Sequence, residues 1–165
     1  MNQHILEKID IVPAVVPIAL TTARTGDVIS MKNHGRCAVV IFKDAGTNGD
    51  DITVTVNQCT SVAASNAKAL DFTRVDLKQG TLTDVGTWTT VTQDANEEYT
   101  NADLGGQQAL IVIDIKGEDL DVANGYDCVR VSISDAGTNA QLGCALYLLH
   151  EPRYVKPGGV SAIAD

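Results

Sequence analysis

Hydrophobic and polar positions alternate with a period of two through most of the chain, and Gly, Asn and Asp interrupt the alternation at short intervals. Residues 52–59 show the pattern plainly: Ile52, Val54 and Val56 fall on one face, Thr53, Thr55 and Asn57 on the other. Residues 72–79 repeat it through Val75 and Leu77, and residues 127–134 through Val129, Val131 and Ile133. Further strand-like runs at 27–32, 36–42, 85–91, 109–115 and 142–149 bring the total to about eight, with almost no helical periodicity between them. The pattern predicts an all-β fold, a single-domain antiparallel β-sandwich of jelly-roll-like form. An immunoglobulin-like Greek key would satisfy the same strands.

Three runs depart from simple alternation. Residues 37–42, 110–115 and 145–149 are apolar on both faces, so their outer faces need cover. An arm, a long loop or a partner subunit would supply it, and some subunit contact is expected. Residues 9–20 (IDIVPAVVPIAL) are strongly apolar but carry Pro13 and Pro17, which exclude a regular helix or a central strand. Residues 1–20 are therefore expected as an extended N-terminal arm, lying along its own sandwich edge or along a neighbouring subunit. Its candidate interaction residues are Ile11, Val12, Val15, Val16, Ile18 and Leu20. The sandwich domain is expected over residues 21–150, and Pro152, Pro157 and Gly158-Gly159 mark a C-terminal tail over residues 151–165. Residues 60–69 read as a loop. Residues 92–108 read as the longest break, of a length that suits an interaction surface.

One turn occurs twice, as Asp44-Ala45-Gly46-Thr47-Asn48 and as Asp135-Ala136-Gly137-Thr138-Asn139. Both copies are expected to join strands at equivalent places in the sandwich. The first continues into Asp50 and Asp51, an oxygen-rich loop that raises calcium as an alternative. It lacks the EF-hand spacing and the terminal Glu, and the second copy lacks the following acids. No metal and no cofactor is expected.

At 165 residues the chain suits one domain, and a net charge of −9 with scattered basic residues excludes a nucleic-acid surface. One Trp, four Tyr and two Phe leave little for a carbohydrate or single-strand stacking platform. Cys37, Cys59, Cys128 and Cys144 are too far apart for a local redox or zinc motif and read as buried free thiols. Neither a signal sequence nor an apolar stretch near 20 residues is visible, so a chain made in a reducing cytoplasm, with no membrane partner, is expected. His4, His34 and His150 have no second histidine at ligand spacing and read as surface or rim residues. No strained nucleophile turn is present, so the chain is not expected to be an enzyme.

Residues 39–56 (VVIFKDAGTNGDDITVTV), 78–83 (KQGTLT) and 119–154 (including DLDVANGYDCVRVSISDAGTNAQLGCALYLLHEPRY) resemble the small head decoration, or cement, proteins of tailed bacteriophages. The likeness runs from about Gly26 to the end of the chain, and its motifs are hairpin turns and strand edges. The resemblance implies a virion protein on the capsid surface, a homo-oligomer (dimer or trimer), that binds the assembled lattice of the major capsid protein. It defines no binding residue. A tail, connector or head-fibre attachment component is the structural alternative, and a calcium- or ligand-binding β-sandwich module is the alternative from another class.

Overall fold

Period-two alternation becomes strand throughout the computed structural model, which describes residues 4–154 and 162–163. Among the described residues twelve strands form two antiparallel sheets. In one sheet the order is β1 (Ile9–Ala19), β12 (Leu142–Pro152), β4 (His34–Lys43), β10 (Gln108–Lys116), β7 (Phe72–Gly80), β8 (Thr89–Asn96). In the other, β11 (Cys128–Ile133) and β5 (Thr53–Cys59) are central. They are flanked by the short strands β2 (Arg24–Thr25), β3 (Ile29–Ser30), β6 (Lys68–Ala69) and β9 (Glu98–Thr100). The described residues contain no α-helix, only three single turns of 3-10 helix.

The chain crosses between the sheets at eight of its eleven strand-to-strand steps. Thus β1-β12-β4-β10 faces β2/β3-β11-β5-β9, the wrapped order of a jelly roll. The hairpin β7–β8 is added beyond β10 and widens the first sheet.

Inward residues of both sheets make one core, including Cys37, Val39 and Ile41 of β4, Ile111, Ile113 and Ile115 of β10, and Val129, Val131 and Ile133 of β11. Tyr147 ties the sheets together: its buried hydroxyl accepts the Val131 N–H at 2.7 Å and donates to the Asp27 carbonyl at 2.8 Å. None of the four cysteines forms a disulfide; three are buried and Cys144 is half-buried. Burial pushes the Cys37 thiol pKa well up.

The proline-bearing segment is β1, an edge strand running antiparallel to β12 from Ile9–His150 to Ala19–Leu142, with irregularities after Pro13 and Val15. An edge tolerates proline because one side of the strand has no ladder to complete. The expected tail begins inside β12, which runs to Pro152. The carbonyl of Ala162 accepts the Ser30 N–H at 2.6 Å. The rest of the tail, residues 155–161 and 164–165, lies outside the described residues.

Two local expectations are corrected. Residues 92–108 are not one long break but hold the end of β8, all of β9 and a turn. Strand β8 also begins later than expected, at Thr89, leaving Val85 86% exposed. The Trp88 ring lies under the Lys78 ammonium, 4.8 Å from its centroid.

Candidate functional site: an apolar face on the outer sheet

The three strands that are apolar on both faces are neighbours in space. Strands β12, β4 and β10 form the centre of the first sheet, so their outward side chains merge into one surface. The register sets them in rows. Cys144, Phe42 and Leu110 make one row, Leu146, Val40 and Val112 the next, and Leu148 and Ala38 begin a third that ends on Asp114. Pro13 and Ile11 of β1 extend the second and third rows across β12. Phe42 is 50% exposed and Leu142, at the end of β12, 57% exposed.

The geometry gives a size. With strands about 4.8 Å apart and outward residues about 6.8 Å apart along each, three rows across four strands cover on the order of 400 Å². That equals the largest apolar patch expected on an ordinary monomer, roughly 300–600 Å².

Charge bounds the face at one end. In the fourth row His150, Arg36 and Lys116 stand side by side. The Arg36 guanidinium is bonded to Asp114, whose other oxygen lies 3.7 Å from His150 Nε2. On the β7 side, Arg74 pairs with Asp76 at 2.9 Å, and this partner, with a hydrogen bond from Thr90, holds the Asp76 carboxyl below its ordinary range.

Strand β1 distributes the six sequence-derived interaction residues over different environments. Leu20 and Val15 are buried in the sandwich core, and Val12 and Ile18 pack against it. Ile11 and Val16 are exposed, and Ile11 lies opposite Leu148 beside the apolar rows. The larger part of the face comes from β4, β10 and β12, whose apolar outer positions were the signal in the sequence.

The repeated turns lie together at one end of the sandwich and are joined by residues 101–107. Asn139 Nδ2 donates to Asp50 Oδ2 at 2.9 Å, Gln141 Nε2 to the Asp50 carbonyl at 3.1 Å, and the Gly46 N–H to the Gly105 carbonyl at 2.8 Å. Asp51 Oδ1 accepts the Gly105 N–H at 2.6 Å. Beneath them Lys43 is almost fully buried, its ammonium bonded to the carbonyls of Leu104 and Gln107. Burial lowers its pKa to about 8 against the pull of Asp51 and Asp44. The carboxylates of Asp44, Asp50 and Asp51 are thus engaged in joining loops. Among the described residues no group of three or more His, Cys, Asp or Glu side chains is placed to hold a metal ion.

His34 departs from the surface position expected of it: it is 1% exposed, at the start of β4 and opposite Pro152 of β12. Its backbone N–H donates to the Met31 carbonyl at 3.1 Å and closes the turn. His150 is half-buried beside Asp114, and His4 is exposed. No described helix is long and apolar enough to cross a membrane.

No protein-family model and no curated protein matches the chain. Among solved structures it is similar to the SPBc2 prophage-derived protein YomS, at 11% identity and a TM-score of 0.45, over 90% of this chain and 98% of that one. It is also similar to the CBM36-1 domain of a multidomain xylanase from the hindgut metagenome of Trinervitermes trinervoides, at 14% identity and a TM-score of 0.21, over 85% and 95% of the two chains. A third similarity, to a structure of infectious bursal disease virus Gt strain, has 8% identity and a TM-score of 0.26, over 88% of this chain and 42% of that one. Likenesses at these scores carry nothing about function.

Proposed function

We propose that this chain is a structural virion protein that decorates a phage head and cements it by binding the assembled lattice of the major capsid protein. The observation that carries the proposal is the single apolar face built by β12, β4 and β10. A patch on the order of 400 Å² is about half of what each partner buries in a standard protein interface, roughly 800 Å². Alone it makes a modest contact. Repeated on every copy over a lattice, and joined within a dimer or trimer, modest contacts sum to tight attachment. Binding that is tighter to the assembled shell than to free subunits stabilises the shell by mass action. The sequence resemblance to head decoration proteins points the same way, and neither support requires a reactive group.

The test is cosedimentation with capsids assembled from the major capsid protein of the phage that encodes this chain. Val40→Asp and Leu146→Asp each place a charge at the centre of the face, and each is expected to weaken capsid binding at least tenfold while leaving the circular dichroism spectrum β-rich. Sedimentation velocity of the free protein reads the expected dimer or trimer. Undiminished binding by both variants would remove the face from the attachment surface. Density for the protein on the tail or connector of an intact particle would replace the head assignment.

A further inference from the structure

The first sheet is open between β7 and β10. These strands pair from Gly80–Gln108 to Asp76–Val112, yet β10 runs on to Lys116 and β7 begins at Phe72. Continued register would set Arg74 against Asp114. The strands part instead, because the chain preceding β7 comes from the second sheet, where the Leu70 N–H bonds the Val56 carbonyl at 3.1 Å. The parting leaves a cleft of about 540 Å³ floored by Leu70, Phe72 and Ile115, all buried, and walled by charged side chains that include Arg74 and Asp114.

Backbone direction in β10 follows from one bond. The Lys116 N–H donates to Asp119 Oδ2 at 2.9 Å, so Lys116 turns its amide away from β4. Along an antiparallel strand alternate residues turn the same way, so the N–H and C=O of Asp114 also point away from β4 and into the cleft. The ladder to β7 has ended before they are reached. By the same alternation Arg74 presents its backbone from the opposite wall. An apolar floor beneath an open strand edge fits main chain better than it fits a compact ligand.

The charges say more. Arg36 is tied to Asp114, Arg74 to Asp76 and Lys116 to Glu118. Asp71, on the cleft wall and exposed, has no ion pair among the described residues, so the cleft has acid to spare. We propose that this cleft binds an extended peptide segment of a partner protein, alternating small apolar residues with a lysine or arginine at its end, which adds as a short strand to the open edge of β10 at Asp114.

The test is amide exchange and peptide titration on the ¹⁵N-labelled full chain, with the acetylated and amidated pentapeptide KVTVK as probe. In the free protein the Asp114 amide is expected to exchange at least about tenfold faster than that of Ile113, which belongs to the intact ladder with β4. Millimolar peptide is expected to shift the Asp114, Ile115 and Arg74 amides and to slow Asp114 exchange. The same peptide N-methylated at its central residue is expected to do neither. Asp71→Lys should weaken binding about tenfold without changing the melting temperature. Protection of Asp114 in the free protein would show that the chain fills its own edge and would overturn the proposal. So would an absence of shifts at these amides, equal binding of the methylated peptide, or unchanged affinity in Asp71→Lys.

Discussion

At the residue scale the most consequential side chain is His34, whose neighbours include no partner for Nδ1 among the described residues. Burial holds its pKa below the ordinary value; Asp10 pulls it up and His150 adds to the lowering. The folded chain therefore keeps His34 neutral where the unfolded chain, with an imidazole pKa of about 6.5, begins to take up a proton. A group with a depressed folded pKa contributes stability that is present above its unfolded pKa and is lost as pH falls. The melting temperature is expected to drop between pH 7.5 and pH 5.5, and His34→Gln is expected to flatten that drop. Parallel thermal melts of the two proteins at both pH values check this; equal slopes would remove His34 as the source of the acid sensitivity. His34 also shows a limit of sequence reading. In Asn33-His34-Gly35 every residue suits an exposed turn, and the burial comes from β12 passing alongside, which no local pattern records.

At the scale of elements, the loops that hold the sandwich shut at one end demand glycine for space. A Cβ on Gly105 would stand 2.5 Å from the Thr47 carbonyl oxygen and 3.0 Å from the Asp50 nitrogen. Both are backbone atoms fixed by the repeated-turn loop and cannot swing aside. Gly105→Ala is expected to cost about 1–3 kcal/mol as overpacking, a fall in melting temperature of roughly 2–12 °C for a chain of this size. Differential scanning calorimetry measures it, and an unchanged midpoint would mean that the loops part easily. Legibility in the sequence followed burial. Strands β5, β7 and β11 were plain because one face of each is apolar. The bounds of strand β8 (TTVTQDAN) are not legible, because it is an exposed edge with almost no apolar residues to carry a period. Strand β9 is three residues long, shorter than the run of about four residues that alternation needs.

At the scale of the whole molecule, sequence showed three strands with two apolar faces and a proline-bearing segment that must be buried somewhere. It did not show that the three strands are adjacent, because strand order is decided by pairing between residues about a hundred positions apart, such as Val40 with Leu146. Adjacency is what turns three separate excesses of apolar side chains into one face. The proline segment bridges two roles: Leu20 and Val15 belong to the core, while Ile11 lies beside the apolar rows. Burying those two core side chains stabilises the fold by about 1.5–3 kcal/mol each. Together that is a large share of a typical net stability of about 5–15 kcal/mol. A chain beginning at residue 21 would lose both, and would also uncover the β12 edge that β1 now pairs. The truncated protein is therefore expected to melt at least 10 °C lower or to be unfolded at 25 °C, whereas Leu146→Asp, on the outer face of the same sheet, is expected to keep most of its stability and lose capsid binding. Urea unfolding of both proteins beside the cosedimentation assay separates the two roles. A truncated chain that folds with full stability would make β1 a detachable arm, and its exposed residues would then belong to the attachment surface rather than to the sandwich.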